Sequence, residues 1–174
     1  EMLARFHAER QVLSRLDHPA IAKIFDAGQS ADGQPYFGME YVPGVPITKF
    51  CDENRISIDG RLELFAQVCN AVAHAHSKTV LHRDIKAGNV LAYMHDNKPA
   101  VKLIDFGVAK VLGGDGMIDL VNTQVGAVIG TYEYMSPEQA AGSADIDTRS
   151  DIYSLGVLLY ELLVGVRPFE RESL

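Results

Sequence analysis

Apolar positions recur along this chain in two rhythms, one near 3.6 and one near 2, and the switches between them predict its elements. Over Glu1–Leu16, Leu3, Phe6, Leu13 and Leu16 fall near one face with charges between them, which predicts a helix. His18-Pro19 ends it, because the residue before proline is pushed out of the α region. Ile21–Phe25 and Tyr36–Val42 read as strands joined through a turn at Asp32-Gly33. Pro43-Gly44 breaks the chain, and a short helix is expected over Thr48–Asn54. From Asp59 to Ser77 a wide apolar face of Leu62, Phe65, Ala66, Val68, Cys69, Val72, Ala73 and Ala75 predicts a longer helix, with Asp59 as its N-cap. Val90–Tyr93 and Val101–Ile104 flank the turn-forming run His95-Asp96-Asn97-Lys98-Pro99 and predict a hairpin. Gly113-Gly114-Asp115-Gly116 opens a weakly periodic stretch that lasts to Tyr134, and a loop that long is usually functional or disordered. Asp151–Val164 is nearly all apolar and predicts a buried helix, stopped by Gly165 with Pro168 shortly after. A small β-containing beginning thus precedes a mostly helical remainder, an α+β arrangement.

Composition narrows the classes. With 174 residues and 47% hydrophobic content the chain can bury a core. A formal net charge of −7, with no Lys/Arg block, argues against nucleic acid or an anionic membrane surface as the main partner. Cys51 and Cys69 are the only cysteines, which suggests no disulfide framework and fits a reducing compartment. Cys69, on an apolar helical pattern, is expected to be a small buried hydrophobe. No apolar run reaches the roughly 18 residues that a bilayer span needs. The segment is therefore expected to make no membrane contact, in a cytoplasmic setting or as the cytoplasmic portion of a membrane-anchored protein.

Three strings carry the chemistry: H-R-D-I-K-A-G-N at His82–Asn89, D-F-G at Asp105–Gly107 and S-P-E at Ser136–Glu138. Asp84 can accept a proton, Lys86 can neutralise a transferring phosphate, and Asn89 and Asp105 offer the oxygen ligands that Mg²⁺ prefers. In this order and spacing the strings match the protein-kinase signature set. The chain resembles the protein-kinase superfamily from end to end, and within it the bacterial Ser/Thr kinases. The G-T-Y-E-Y-M-S-P-E run at 130–138 resembles their peptide-docking segment.

The resemblance implies a two-lobed kinase-like fold, here truncated. Residues 1–42 would be the rest of the small lobe and the hinge, and 43–174 an incomplete large lobe. It implies that Asp84 orients the attacking hydroxyl and takes its proton, that Lys86 lies beside the γ-phosphate, and that Asn89 and Asp105 hold the metal. Glu9 would pair with a strand lysine that holds the ATP phosphates; neither that lysine nor a Gly-rich loop is in the sequence. Met39 resembles the gatekeeper, Glu40–Val42 the hinge that meets the adenine edge, and Leu91 the residue beneath the base. Arg83 would meet a phosphorylated Thr123, and Thr131 would bond to Asp84 and Lys86. Leu13, Ile24, His82 and Phe106 match an apolar spine, and Asp151 matches an aspartate bonded to backbone near His82, with an N-cap as the alternative.

ATP with Mg²⁺, or Mn²⁺ in its place, is the implied cofactor set, and protein Ser/Thr hydroxyls are the implied substrates. Dimerisation for trans-autophosphorylation is a further expectation. Ala87-Gly88 replaces the more usual Pro and acidic pair, which weakens any case for basic substrates. A pseudokinase scaffold and a small-molecule kinase of related fold are the rival readings. The intact Asp84, Lys86, Asn89 and Asp105 oppose the first, and Thr131–Glu138 opposes the second. The 174 residues alone are expected to be inactive. They should also strand apolar surface around Leu155, Leu158, Leu159 and Leu162 and leave Glu138 without the Arg that the resemblance pairs it with.

Overall fold

The computed structural model describes residues 16–31, 35–106, 132–143 and 145–169. The helix expected over Glu1–Leu16, but for Leu16, the Asp32-Gly33 turn, and most of the loop expected up to Tyr134 lie outside them.

Two sheets are present among the described residues. Strands β1 (Ile24–Gln29) and β2 (Pro35–Met39) form an antiparallel pair. Strands β3 (Val45–Pro46), β4 (Val90–His95) and β5 (Lys98–Leu103) form a three-stranded antiparallel sheet in that order. The first expected strand, Ile21–Phe25, is shifted: Ile21 leaves the hairpin and pairs in parallel with Leu103 instead. Ala22 N–H donates to Leu103 O at 2.9 Å, and Leu103 N–H to Ala20 O at 2.9 Å. An irregularity between Ile24 and Asp26 turns Phe25 outward, where it is 68% exposed. The second expected strand stops at Met39, and residues 40–44 run on without ladder pairing. The β4–β5 hairpin forms as predicted, but its turn is only Asp96-Asn97, both with positive φ (47° and 60°). That geometry matches the right-handed twist of the strands, so pairing extends to His95 and Lys98.

Helix α1 spans Ile47–Glu53 and α2 Ile58–Ser77. The N-cap of α2 is Ser57, not Asp59: Ser57 Oγ accepts from Gly60 N–H at 3.2 Å, and Asp59 lies in the first turn. Its core stripe is Leu64, Val68, Ala71, Val72 and Ala75. Leu62, Ala66 and Ala73 are exposed, and Cys69 is only half-buried. The packed stripe is rotated from the expected face because Leu64 and Ala71, rather than those three, meet the core.

A short helix α3 (Pro137–Ala140) precedes α4 (Thr148–Val164). Asp147 caps α4, accepting from Arg149 N–H at 2.8 Å, so Asp151 sits one turn inside rather than at the cap. Gly165 ends α4 with φ 86°, a conformation that favours glycine, and its N–H donates to Glu161 O at 2.8 Å. Arg61 of α2 reaches the same end, donating to Leu162 O at 2.9 Å and Asp52 Oδ1 at 2.7 Å. The expectation of stranded apolar surface is corrected in its residues. Leu155, Leu158 and Leu162 are buried and Leu159 half-buried; the exposed apolar side chains are Ile152, Tyr160, Leu163 and Val164, with Val166 and Phe169 beyond. Among the described residues, no helix is long and apolar enough to cross a membrane.

One apolar core joins α1, α2, β4, β5 and α4. Its largest fully buried side chains include Ile47, Leu64, Ile85, Leu103 and Leu158. Each contributes about 1.5–3 kcal/mol by leaving water. Ile85 lies inside the H-R-D-I-K-A-G-N string, so the core anchors that string from within.

Candidate active site

Residues 82–89 cross from the end of α2 to the start of β4 by alternating inward and outward. His82, Ile85 and Ala87 are buried, while Arg83, Asp84 and Lys86 are half-exposed. The inward residues fix the strip and the outward ones face the surface.

His82 is 1% exposed, with its ring centroid 4.5 Å from that of Phe106. Nε2 donates to Ile104 O at 3.1 Å, and Nδ1 accepts from Asp84 N–H at 3.4 Å. This is the bonding of a neutral imidazole protonated on Nε2. Burial pushes its pKa below the usual histidine value, against the raising effect of Asp151 and Asp84.

Asp151, on α4, is 1% exposed and fully engaged. Oδ2 accepts from His82 N–H at 2.9 Å and His76 Nε2 at 2.7 Å, and Oδ1 from Arg83 N–H at 2.7 Å. A buried carboxylate without such donors would be costly. The bond to backbone beside His82 is the one expected of it. Arg83 is held at φ 68°, and its carbonyl accepts from Gln139 Nε2 at 2.8 Å.

Asp84 Oδ2 lies 2.7 Å from Lys86 Nζ and accepts from Asn89 Nδ2 at 2.8 Å. The same Nδ2 donates to Asp84 O at 2.8 Å. Both amide hydrogens of Asn89 are thereby used, and its side-chain oxygen is the atom available as a ligand. Ile104 N–H donates to Asn89 O at 3.0 Å, which brings Asp105 in directly after that bond. Asp105 is exposed, with φ 62°, and Phe106 behind it is 3% exposed. Asp84, Lys86 and Asn89 therefore meet, and Asp105 adjoins them.

The set offers one carboxylate and one amide oxygen for a hard cation. Among the described residues no group of three or more His, Cys, Asp or Glu is placed to hold an ion. Mg²⁺ commonly takes one or two carboxylates and completes its shell with water and substrate phosphates, so these donors fit it.

Met39 lines a small cavity with Ile24, Leu103, Asp105 and Phe106. Glu40 is committed to the sheet: both carboxylate oxygens lie 2.6 Å from Lys102 Nζ, and Oε2 accepts from Lys23 N–H at 3.2 Å. The hydrogen bond from Lys102, ahead of the other causes, holds its pKa below the ordinary carboxylate value. Its side chain is thus occupied and its N–H donates to Lys23 O at 2.8 Å, so its carbonyl is the group suited to meet a ligand. Val42 is buried, and its carbonyl accepts from Gly44 N–H at 2.8 Å. A Cβ on Gly44 would stand 2.9 Å from Ala92 O and 3.2 Å from Leu91 Cβ, so this glycine lets residues 42–44 pass close over half-buried Leu91. Glu9, Thr123 and Thr131 lie outside the described residues, as does Leu13.

Residues 132–139 are tied to α4 and to the residues just after it. Ser154 Oγ donates to Tyr134 O at 2.7 Å, Tyr134 OH donates to Glu161, and Glu133 pairs with Arg167. Burial first, and then the bond to Glu161, push the Tyr134 phenol pKa up. Ser150 Oγ donates to Glu138 and is the first cause of its lowered pKa. The contacts of Gln139, His76, Lys102 and Arg61 escape a reading of the sequence. Only Gln139 carries a signal there, as the fourth residue of the capping-box pattern Ser136-Pro137-Glu138-Gln139.

The family model for the protein kinase domain matches residues 1–174. The serine/threonine-protein kinase pkn3 of Myxococcus xanthus is 42% identical over 98% of this chain, which covers 31% of that relative. The serine/threonine-protein kinase PknB of Mycobacterium tuberculosis is 40% identical over 97% of this chain, which covers 26% of it. The crystal structure of the Mycobacterium tuberculosis PknI kinase domain is similar with a TM-score of 0.70 and 28% identity, over 99% of this chain and 61% of that one. The chain thus spans under a third of the length of these curated relatives.

Proposed function

Because the chain belongs to the protein kinase family, we propose that its parent protein transfers the γ-phosphate of ATP, with Mg²⁺ or Mn²⁺, to Ser and Thr hydroxyls of proteins. The observation that carries this is the joint bonding of the Asp84 carboxylate by Lys86 and Asn89, with Asn89 tied through Ile104 to Asp105.

Transfer of a phosphoryl group passes through a loose transition state, so the protein chiefly positions reactants and offsets charge. Asp84 would hold the attacking hydroxyl through Oδ1 and receive its proton. Lys86 would move between Asp84 and the transferring phosphate on its flexible four-carbon stem. The amide oxygen of Asn89 and the carboxylate of Asp105 would hold the ion, which offsets phosphate charge when bound. Met39 would close the back of the adenine pocket, the backbone of Glu40–Val42 would meet the base edge, and Leu91 would lie beneath it. Glu9 would face the phosphate-binding lysine, Thr131 would support Asp84 and Lys86, and Arg83 would bind phosphorylated Thr123. In this reading residues 1–42 belong to the small lobe and hinge and 43–174 to the large lobe. Autophosphorylation between two copies, in the cytoplasm or at its membrane face, completes the proposal.

The test is the identity of the phosphoacceptor. The full-length parent, given γ-labelled ATP and Mg²⁺, should label protein substrates on Ser and Thr. Labelling of small aminoglycoside-type molecules only, or of nothing under conditions where ATP binds, would refute the proposal in favour of a small-molecule kinase or a scaffold.

A further inference from the structure

We infer that Gln139 is a positioning residue for phosphoryl transfer, bracing the peptide unit that carries Asp84. The inference rests on the kinase reading of Asp84 and adds a residue to it. Arg83 sits at φ 68°, a conformation that disfavours side chains with a Cβ, so its surroundings must hold it there. They do so through every polar group of its backbone. Arg83 N–H donates to Asp151 Oδ1 at 2.7 Å, and Arg83 O accepts from Gln139 Nε2 at 2.8 Å. The other end of the Arg83–Asp84 peptide, Asp84 N–H, donates to His82 Nδ1 at 3.4 Å. The next peptide is gripped through Asp84 O by Asn89 Nδ2 at 2.8 Å. Both peptides flanking Asp84 are therefore pinned, and the carboxylate inherits its direction from them.

His82 and Asn89 belong to the loop itself and Asp151 to α4. Among the described residues of the segment 132–139, Gln139 is the one that bonds the Arg83–Asp84 peptide, while Tyr134 meets the strip farther on, at the Ala87 backbone. It is buried, and its two side-chain heteroatoms do different things. Oε1 accepts from Ser136 N–H at 3.0 Å, which caps α3, while Nε2 serves Arg83. A glutamate would cap α3 equally well, since capping boxes take Glu or Gln at this position. It has no donor for the Arg83 carbonyl. The amide nitrogen is thus what the loop contact requires and the cap does not.

Gln139→Glu in the full-length parent separates the two. It should retain the cap and set an oxygen against the Arg83 carbonyl. The turnover number should fall about tenfold, the scale of one lost neutral hydrogen bond, with KM for ATP unchanged; the melting temperature falls as well, because a buried carbonyl loses its donor, so turnover is measured on folded protein well below the transition. Gln139→Ala, which loses both contacts, should lower turnover and melting temperature together. Wild-type turnover in folded Gln139→Glu, or a raised KM for ATP with turnover unchanged, would overturn the inference. Asp84→Asn is assayed beside them. If it turns over like wild type, the kinase reading of Asp84 fails and the brace falls with it. If it is inactive while Gln139→Glu is fully active, only the brace is wrong.

Discussion

At the scale of single residues, a buried histidine and a buried aspartate set the 82–89 strip, and each makes a measurable demand. His82 is held neutral by burial, below the usual histidine pKa. In the unfolded chain it titrates near 6.5, so below about pH 6.5 the unfolded state takes up a proton that the native state refuses. The stability it contributes is complete above that pH and is lost as pH falls, by at most about 1.4 kcal/mol per unit. His18, whose pKa is lowered first by burial and then by His74, adds a change of the same sign. Denaturant unfolding from pH 7.5 to 5 should show this decline, and His82→Phe should flatten it; an unaltered slope in the variant would contradict the assignment. Asp151→Ala removes the acceptor for two backbone N–H groups and His76. At about 1–3 kcal/mol per buried group left unsatisfied, it should be among the most destabilising single changes. Asp84, Lys86, Asn89 and Asp105 were legible as residue types in order. Asp151's triple engagement was legible only in part, because nothing in a linear pattern brings α4 and His76 to the same oxygen.

At the scale of elements, periodicity located α2, α4 and the β4–β5 hairpin, and local chemistry decided the details it missed. Capping depends on which side-chain oxygen meets a free N–H, and Ser57 does so where Asp59 was expected. Ser57→Ala should therefore cost about 0.5–2 kcal/mol in thermal or denaturant unfolding. Asp59→Ala should cost only a few tenths, as an exposed charge near the helix N-terminus; the reverse order would restore the expected cap. Strand β1 was misplaced because Ile21 reads as apolar and β-branched wherever it pairs, and only tertiary contact sends it to Leu103 rather than to β2. The near-continuous apolar character of Asp151–Val164 concealed which face packs. Leu158 is fully buried and Leu163 is 43% exposed, so Leu158→Ala should cost about 2–5 kcal/mol, through lost transfer energy and the cavity left behind.

For the whole molecule, the described residues give a core and the candidate strip 82–89, and the sequence contains neither a Gly-rich loop nor the lysine expected to face Glu9. The 174 residues expressed alone should bind ATP weakly and transfer no phosphate at a useful rate, since this chemistry depends on positioning the phosphates. The exposed Ile152, Leu163, Val164 and Phe169 should also make that isolated chain self-associate in size-exclusion chromatography. The most direct test of phosphotransfer at Asp84 is made in the full-length parent, by measuring turnover and ATP affinity side by side for wild type and Asp84→Asn. Asparagine keeps the shape of the side chain but cannot serve as the same base. Turnover lower by orders of magnitude with ATP affinity retained is the expected result; equal turnover in the two proteins would contradict it.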